Sequence, residues 1–161
     1  MIYAEIEDSI KVDNSIRTNL VFAPHLTENS NFAIISTQFF GKLNNTDDLI
    51  LGFGVGPVLR NDEWVVEYLV SPITFLYRKN LNHSSMFYDA GVSAAIMGTI
   101  EGDVVLSAFY PEIAIGLRTN KMKESNFIDN LRFGIGYNLI DRSNEYYPNG
   151  LIWKYSIVFS I

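Results

Sequence analysis

From Leu49 to Arg60, every second residue is large and apolar: Leu49, Leu51, Phe53, Val55, Pro57 and Leu59. The positions between them, Ile50, Gly52, Gly54, Gly56, Val58 and Arg60, hold far less side-chain volume. A period of two is the period of a β-strand, whose successive side chains point to opposite faces. The same alternation recurs in segments near 16–26, 32–42, 48–60, 63–78, 85–98, 103–119, 127–140 and 150–161, which predicts eight strands. Clusters such as Thr27-Glu-Asn-Ser30, Leu43-Asn-Asn-Thr-Asp-Asp48 and Lys79-Asn-Leu-Asn82 separate them, with the Asn, Asp and Ser that turns require. In the fourth segment Trp64, Val66, Tyr68 and Val70 form the bulky row, after which Ile73, Phe75 and Tyr77 take over. Pro72 sits at this change of phase, where a bulge would accept a residue without an N–H.

Alternation does not say which face is inside; volume does. An eight-stranded barrel has an interior just wide enough for side chains to fill. The bulky face exceeds that space, whereas glycine, alanine, serine and a few charges fit it. The fuller face is therefore placed outward, against lipid. The predicted fold class is all-β: an eight-stranded antiparallel up-and-down transmembrane β-barrel over 16–161, with 1–15 an N-terminal extension or short strand. Phe53, Phe109, Phe133, Trp153 and Phe159 are expected on its outer wall. If the bulk packs inward instead, the chain reads as a soluble ligand-binding β-barrel or a viral structural β protein.

Composition narrows the function. The chain has 161 residues, 48% hydrophobic, 14% aromatic and 19% charged, with a net charge of −6 and no cysteine. Nucleic acid is excluded as a partner, because no basic stripe exists to displace counterions from phosphates. Without cysteine there are no disulfides and no thiol chemistry. No metal site and no cofactor is expected. No apolar run is long enough for a transmembrane helix. The opening MIYAEIEDSI lacks the basic region and apolar core of a signal peptide. A bacterial outer-membrane location therefore requires a leader removed before Met1.

The inward row collects Arg17, Glu67, Asp89, Glu112, Arg118, Arg132 and Lys154, with acids and bases nearly matched. Charges confined in a narrow lumen are tolerable when bonded to one another. They predict a self-neutralised polar plug, in which Glu112 has Arg118, Arg132 and Lys154 as its basic candidates. His83-Ser84-Ser85 sets an imidazole beside hydroxyls, but in a turn. Aromatic residues gather near strand ends, Trp64, Tyr137, Trp153 and Tyr155 towards one rim and Tyr77, Tyr88 and Phe159 towards the other, as interfacial girdles do.

The last residues, Lys154, Ser156, Phe159 and Ile161, resemble the C-terminal signal by which barrel-assembly machinery takes up bacterial outer-membrane barrels. Ser156 stands where glycine is usual and Ile161 where an aromatic is usual. The stretch 16–161 as a whole looks like a small outer-membrane barrel of the OmpA/OmpX type. Within it, Gly134-Ile-Gly-Tyr137, Ser143-Asn144 and Pro148-Asn149-Gly150 resemble the end of the lipid A 3-O-deacylase family, which cleaves an acyl chain from lipopolysaccharide. That resemblance implies Ser143 as nucleophile and lipopolysaccharide as a membrane partner. However, Asp141 stands where the family has its histidine, and the last strand lacks the family's glutamate. Asp141 is a poor base at neutral pH. His25, towards the outer end of the first strand, is the imidazole that strand closure could bring near Ser143. No deacylase activity is expected unless those two residues are neighbours.

Overall fold

A computed structural model of the protein describes residues 16–27, 31–60, 63–82, 84–99, 102, 104–119, 128–140 and 150–160. Eight strands follow in order: β1 (Ile16–Leu26), β2 (Asn31–Lys42), β3 (Asp47–Arg60), β4 (Glu63–Asn80), β5 (Met86–Thr99), β6 (Val104–Arg118), β7 (Ile128–Asn138) and β8 (Gly150–Ser160). Each pairs antiparallel with its neighbour, and β1 pairs with β8 to close the barrel. The sheet has no free edge. The predicted all-β barrel is the observed fold. An even number of antiparallel strands brings both ends of the barrel sequence to one rim, called the terminal end here.

Turn chemistry follows the sequence. Between β2 and β3 the Leu43 N–H donates to the Asp47 carbonyl at 2.8 Å, and the Thr46 N–H donates to Asn44 Oδ1 at 2.8 Å. The asparagine side chain thus mimics a backbone turn. The β4–β5 connection is closed by a Leu81 N–H to Met86 carbonyl bond of 3.1 Å.

Two local irregularities set the phase. Pro57 and Val58 of β3 are adjacent, yet their partners on β4 are Leu69 and Val65. Residues 66–68 therefore have no partner on β3, and the change of phase in β4 lies there rather than at Pro72. Pro72 pairs in regular register with Ala95 and faces inward. Val70 correspondingly faces the lumen, not the bulky row, while Leu69 faces outward. On β6, Ala108 and Leu106 oppose the adjacent Ala95 and Ile96, leaving Ser107 as the extra residue of a bulge.

Phe53, Phe109, Phe133 and Trp153 are exposed and Phe159 is partly exposed, so the bulky row faces outward as expected. The lumen is less austere than the volume argument predicts. It holds Phe32, Phe40, Phe87, Tyr110, Ile34 and Ile152, all buried. The inward glycines make this possible. Phe87 and Gly116 are register partners, and a Cβ on Gly116 would come within 2.1 Å of the phenyl ring. A Cβ on Gly136 would meet the Tyr110 ring at 2.6 Å. Large and small positions on neighbouring strands thus interlock, and a few aromatics fill the space that glycines vacate.

The seam between the first and last strands is interrupted. Asn19 to Phe22 pair with Ser160 to Ile157, and His25 and Leu26 pair with Lys154 and Trp153. Ala23 and Pro24 fall between these two runs.

Candidate functional site

The lumen is layered. Towards the end opposite the termini lies an apolar cluster that includes Phe32, Ile34, Val58, Val70, Met97 and Ile152. Nearer the terminal end Phe40, Ile50 and Leu76 form a second, smaller cluster. A band of charged residues, carried by inward positions of β4 to β8, borders both clusters, with Arg78 against Phe40 and Lys154 against Tyr110.

Its pairs form a chain. Arg78 makes a two-point contact with Asp89, Nε to Oδ1 at 2.8 Å and Nη2 to Oδ2 at 2.9 Å. Arg132 Nε lies 2.8 Å from Asp89 Oδ2, off the N–H axis, so that contact is ionic rather than a hydrogen bond. Its Nη2 donates to Glu112 Oε1 at 2.6 Å. Lys154 Nζ donates to Glu112 Oε2. The second oxygen of Glu112 is also 3.0 Å from Ser93 Oγ, which lies 2.9 Å from Thr74 Oγ1. A serine has one hydroxyl proton, and the carboxylate is its stronger acceptor, so Thr74 supplies the hydrogen of the second contact. All five charged side chains are at most 4% exposed.

Aromatic rings complete the band. The Arg78 guanidinium lies 3.6 Å from the Phe87 ring centroid and 5.2 Å from that of Phe40. Lys154 Nζ lies 5.2 Å from the Tyr110 centroid. These faces attract cations and shield them from water.

Of the residues singled out in the sequence, Asp89, Glu112, Arg132 and Lys154 come together in this band. Arg118 does not join it. Its Nη2 is 3.4 Å from Asp48 Oδ2 and donates to the Asn80 side-chain oxygen, near the terminal end. The side chains of Arg17 and Glu67 lie outside the described residues, as do His83, Asp141, Ser143 and Ile161. Arg78 went unnamed because it closes a predicted strand; its phase after Ile73 is the signal that places it inward. His25 is fully buried in the lumen wall, across the seam from Lys154.

Beside this band is a cavity of about 20 Å³ among the described residues. His25, Ser36, Gln38, Thr74, Lys154 and Ser156 supply its polar lining. That volume admits one water-sized body. The outer face of β5 to β8, in contrast, carries shallow apolar grooves of about 510, 510 and 430 Å³. Ala90 opens gaps there between Tyr88, Ile113, Phe133 and Ile135. Phe133 stacks on Trp153, centroids 5.8 Å apart, and leans on Tyr155 at 5.0 Å.

At the terminal end Lys79 Nζ is 2.6 Å from Asp47 Oδ1, and Asn44 donates to Oδ2 at 2.6 Å. The Lys79 bond, followed by that of Asn44, holds the Asp47 carboxyl well below the usual carboxylate range. The same bond raises Lys79. No three acid or histidine side chains among the described residues are grouped to hold a metal. No protein-family model matches the chain, and no curated protein matches it.

Proposed function

We propose that this chain is a bilayer-spanning barrel of the bacterial outer-membrane type, with a filled lumen and a structural or interaction role rather than a conducting or catalytic one. One observation carries this reading: the barrel is inverted. Arg78, Asp89, Glu112, Arg132 and Lys154 are inside and bonded to one another, while Ile113 and Ile115 on the outer wall are 63% and 57% exposed. Soluble monomers rarely expose apolar patches beyond roughly 300–600 Å². Here the apolar wall is carried on every strand, with Phe22, Ile35, Phe53, Phe75, Val92, Phe109, Leu131 and Trp153 among its exposed residues. Hydrocarbon chains are the partners that such a wall and its shallow grooves fit. Lipopolysaccharide would be one source, and Lys154, Ser156, Phe159 and Ile161 the signal read by assembly machinery. A soluble carrier needs a roomy interior, and the lumen cavity found among the described residues, about 20 Å³, does not offer one.

The test is where Trp153 sits. With Trp64→Phe as background, the chain is folded into vesicles of lipids brominated along the acyl chain. Quenching of Trp153 emission is expected, with loss of quenching when the protein is extracted. A protein that stays monomeric in water without detergent, and whose Trp153 is untouched by brominated lipid, would overturn the reading.

A further inference from the structure

The outer wall carries a continuous trough across β5 to β8. Register partners on adjacent strands share a face. Two rows of such partners cross the outer wall: Lys79, Tyr88, Ile115, Phe133 and Tyr155, and, two residues further from the terminal end, Tyr77, Ala90, Ile113, Ile135 and Trp153. Ala90 is the small member of the second row, and its short side chain lowers the wall between its large neighbours. The three outer grooves share lining residues, Ile115 and Phe133 joining one pair of them and Ala90, Ile113 and Ile135 the other. Four strand spacings separate β4 from β8, about 19 Å. That exceeds the roughly 15 Å of hydrocarbon in one leaflet, so the trough seats one acyl chain along its length.

The β4 end of this trough is cationic. Lys79 is the register partner of Tyr88, whose ring forms the trough's first wall. A lysine ammonium has three N–H bonds to give. Among the described residues it meets Asp47 Oδ1 at 2.6 Å and Thr46 Oγ1 at 3.2 Å. The Asp47 carboxylate also accepts from Asn44 and Thr46, and its side chain is 12% exposed against 36% for Lys79. The cation is therefore the open member of the pair, with a donor still to offer, and the carboxylate is covered. An incoming anion finds a partner here, whereas the ammonium of a zwitterionic head group does not.

We infer that the trough is a binding site for one anionic glycerophospholipid, with its phosphate at Lys79 and Tyr88 and one acyl chain running past Ala90 between Ile113 and Phe133. This rests on the bilayer-spanning reading and deepens it from contact with lipid to choice of lipid. Lipid A carries more phosphates and more chains than one cation and one trough can seat.

Trp153 reports on the trough, because it is the register partner of Ile135 and stacks on Phe133. The full chain, with Trp64→Phe as background, is folded into phosphatidylcholine vesicles that hold a minor fraction of brominated phosphatidylglycerol or, in parallel, of brominated phosphatidylcholine. Phosphatidylglycerol is expected to quench Trp153 about threefold more strongly at equal mole fraction, the scale of one charged contact near a membrane surface. Lys79→Gln should remove that preference and leave quenching by phosphatidylcholine intact, and Ala90→Leu, which fills the trough, should remove it too. Equal quenching by the two lipids in the unaltered trough would overturn the site and leave the bilayer reading standing. A preference that survives Lys79→Gln would also overturn it. A monomeric protein quenched by neither lipid would overturn both readings, and a Trp153 shielded from both in a protein of dimer mass would give the trough to a second copy and overturn the lipid site.

Discussion

The two main layers of the lumen solve the same problem by opposite means. In the apolar layer, Ile34, Val58, Val70 and Ile152 fill the barrel by shape, and glycines on facing strands adjust the fit. In the charged layer, long flexible side chains fill it by pairing, and each pair constrains the next: Arg78 fixes Asp89, which orients Arg132, which shares Glu112 with Lys154. Loss of one member of the first layer leaves a hole. Loss of one member of the second leaves an unpaired ion. The difference predicts that the charged layer is more fragile to single changes and more tolerant of paired ones.

Glu112→Ala is the sharpest way to break it. It strands Lys154 and half of Arg132, and it should destabilise by about 3–5 kcal/mol, measured by urea unfolding in detergent. A loss below about 0.5 kcal/mol, the size of an exposed pair, would place the residue in water. Glu112→Leu combined with Lys154→Leu should cost clearly less than Glu112→Ala alone, because no ion is then left partnerless. In the apolar layer, Ile152→Ala should cost about 2–5 kcal/mol by cavity formation, with no rescue from a second deletion. Gly116→Ala forces the Phe87 ring to move and should cost about 1–3 kcal/mol. Its companion Phe87→Leu in the Gly116→Ala background should recover part of that loss.

The smallest effect belongs to the Asp47–Lys79 pair, beyond both layers at the terminal end. The carboxyl of Asp47 is depressed on folding, so its contribution is fully present above the ordinary carboxylate range and is lost as pH falls through the depressed value. Lys79 is raised, so its contribution is lost only as pH rises through that raised value. Asp47→Asn should remove a small acid-side slope in stability that added salt also weakens. An unchanged slope would place the acid sensitivity elsewhere.

The strands were legible because alternation and turn chemistry are local. Leu49 to Leu59 reads as a strand whatever it pairs with, and Asn44 to Thr46 reads as a turn. The inward row was legible too, since phase alone turns Asp89, Glu112, Arg132 and Lys154 to the same side. Partner choice was not legible. Which base meets Glu112 depends on strand tilt and on the extra residues at 66–68 and Ser107, which displace one strand against the next without marking the sequence. Arg118 illustrates this: its phase is right, but its height in the barrel carries it to Asp48 instead. The aromatic content of the lumen was missed for a related reason. Counting volume strand by strand does not show that Phe87 and Gly116 share one register position.

The interrupted seam has a consequence for how the barrel is made. β4 to β8 carry the whole charged chain, and successive strands there are joined by short-range hairpin pairing. Only the β1–β8 ladder links residues from opposite ends of the sequence, and long-range pairings of this kind form late. That ladder skips Ala23 and Pro24, and a proline has no N–H to give it. Among the described residues this ladder also has the fewest register pairs, six. A wall closed by one thin seam between the two ends of the sequence would part there first under load.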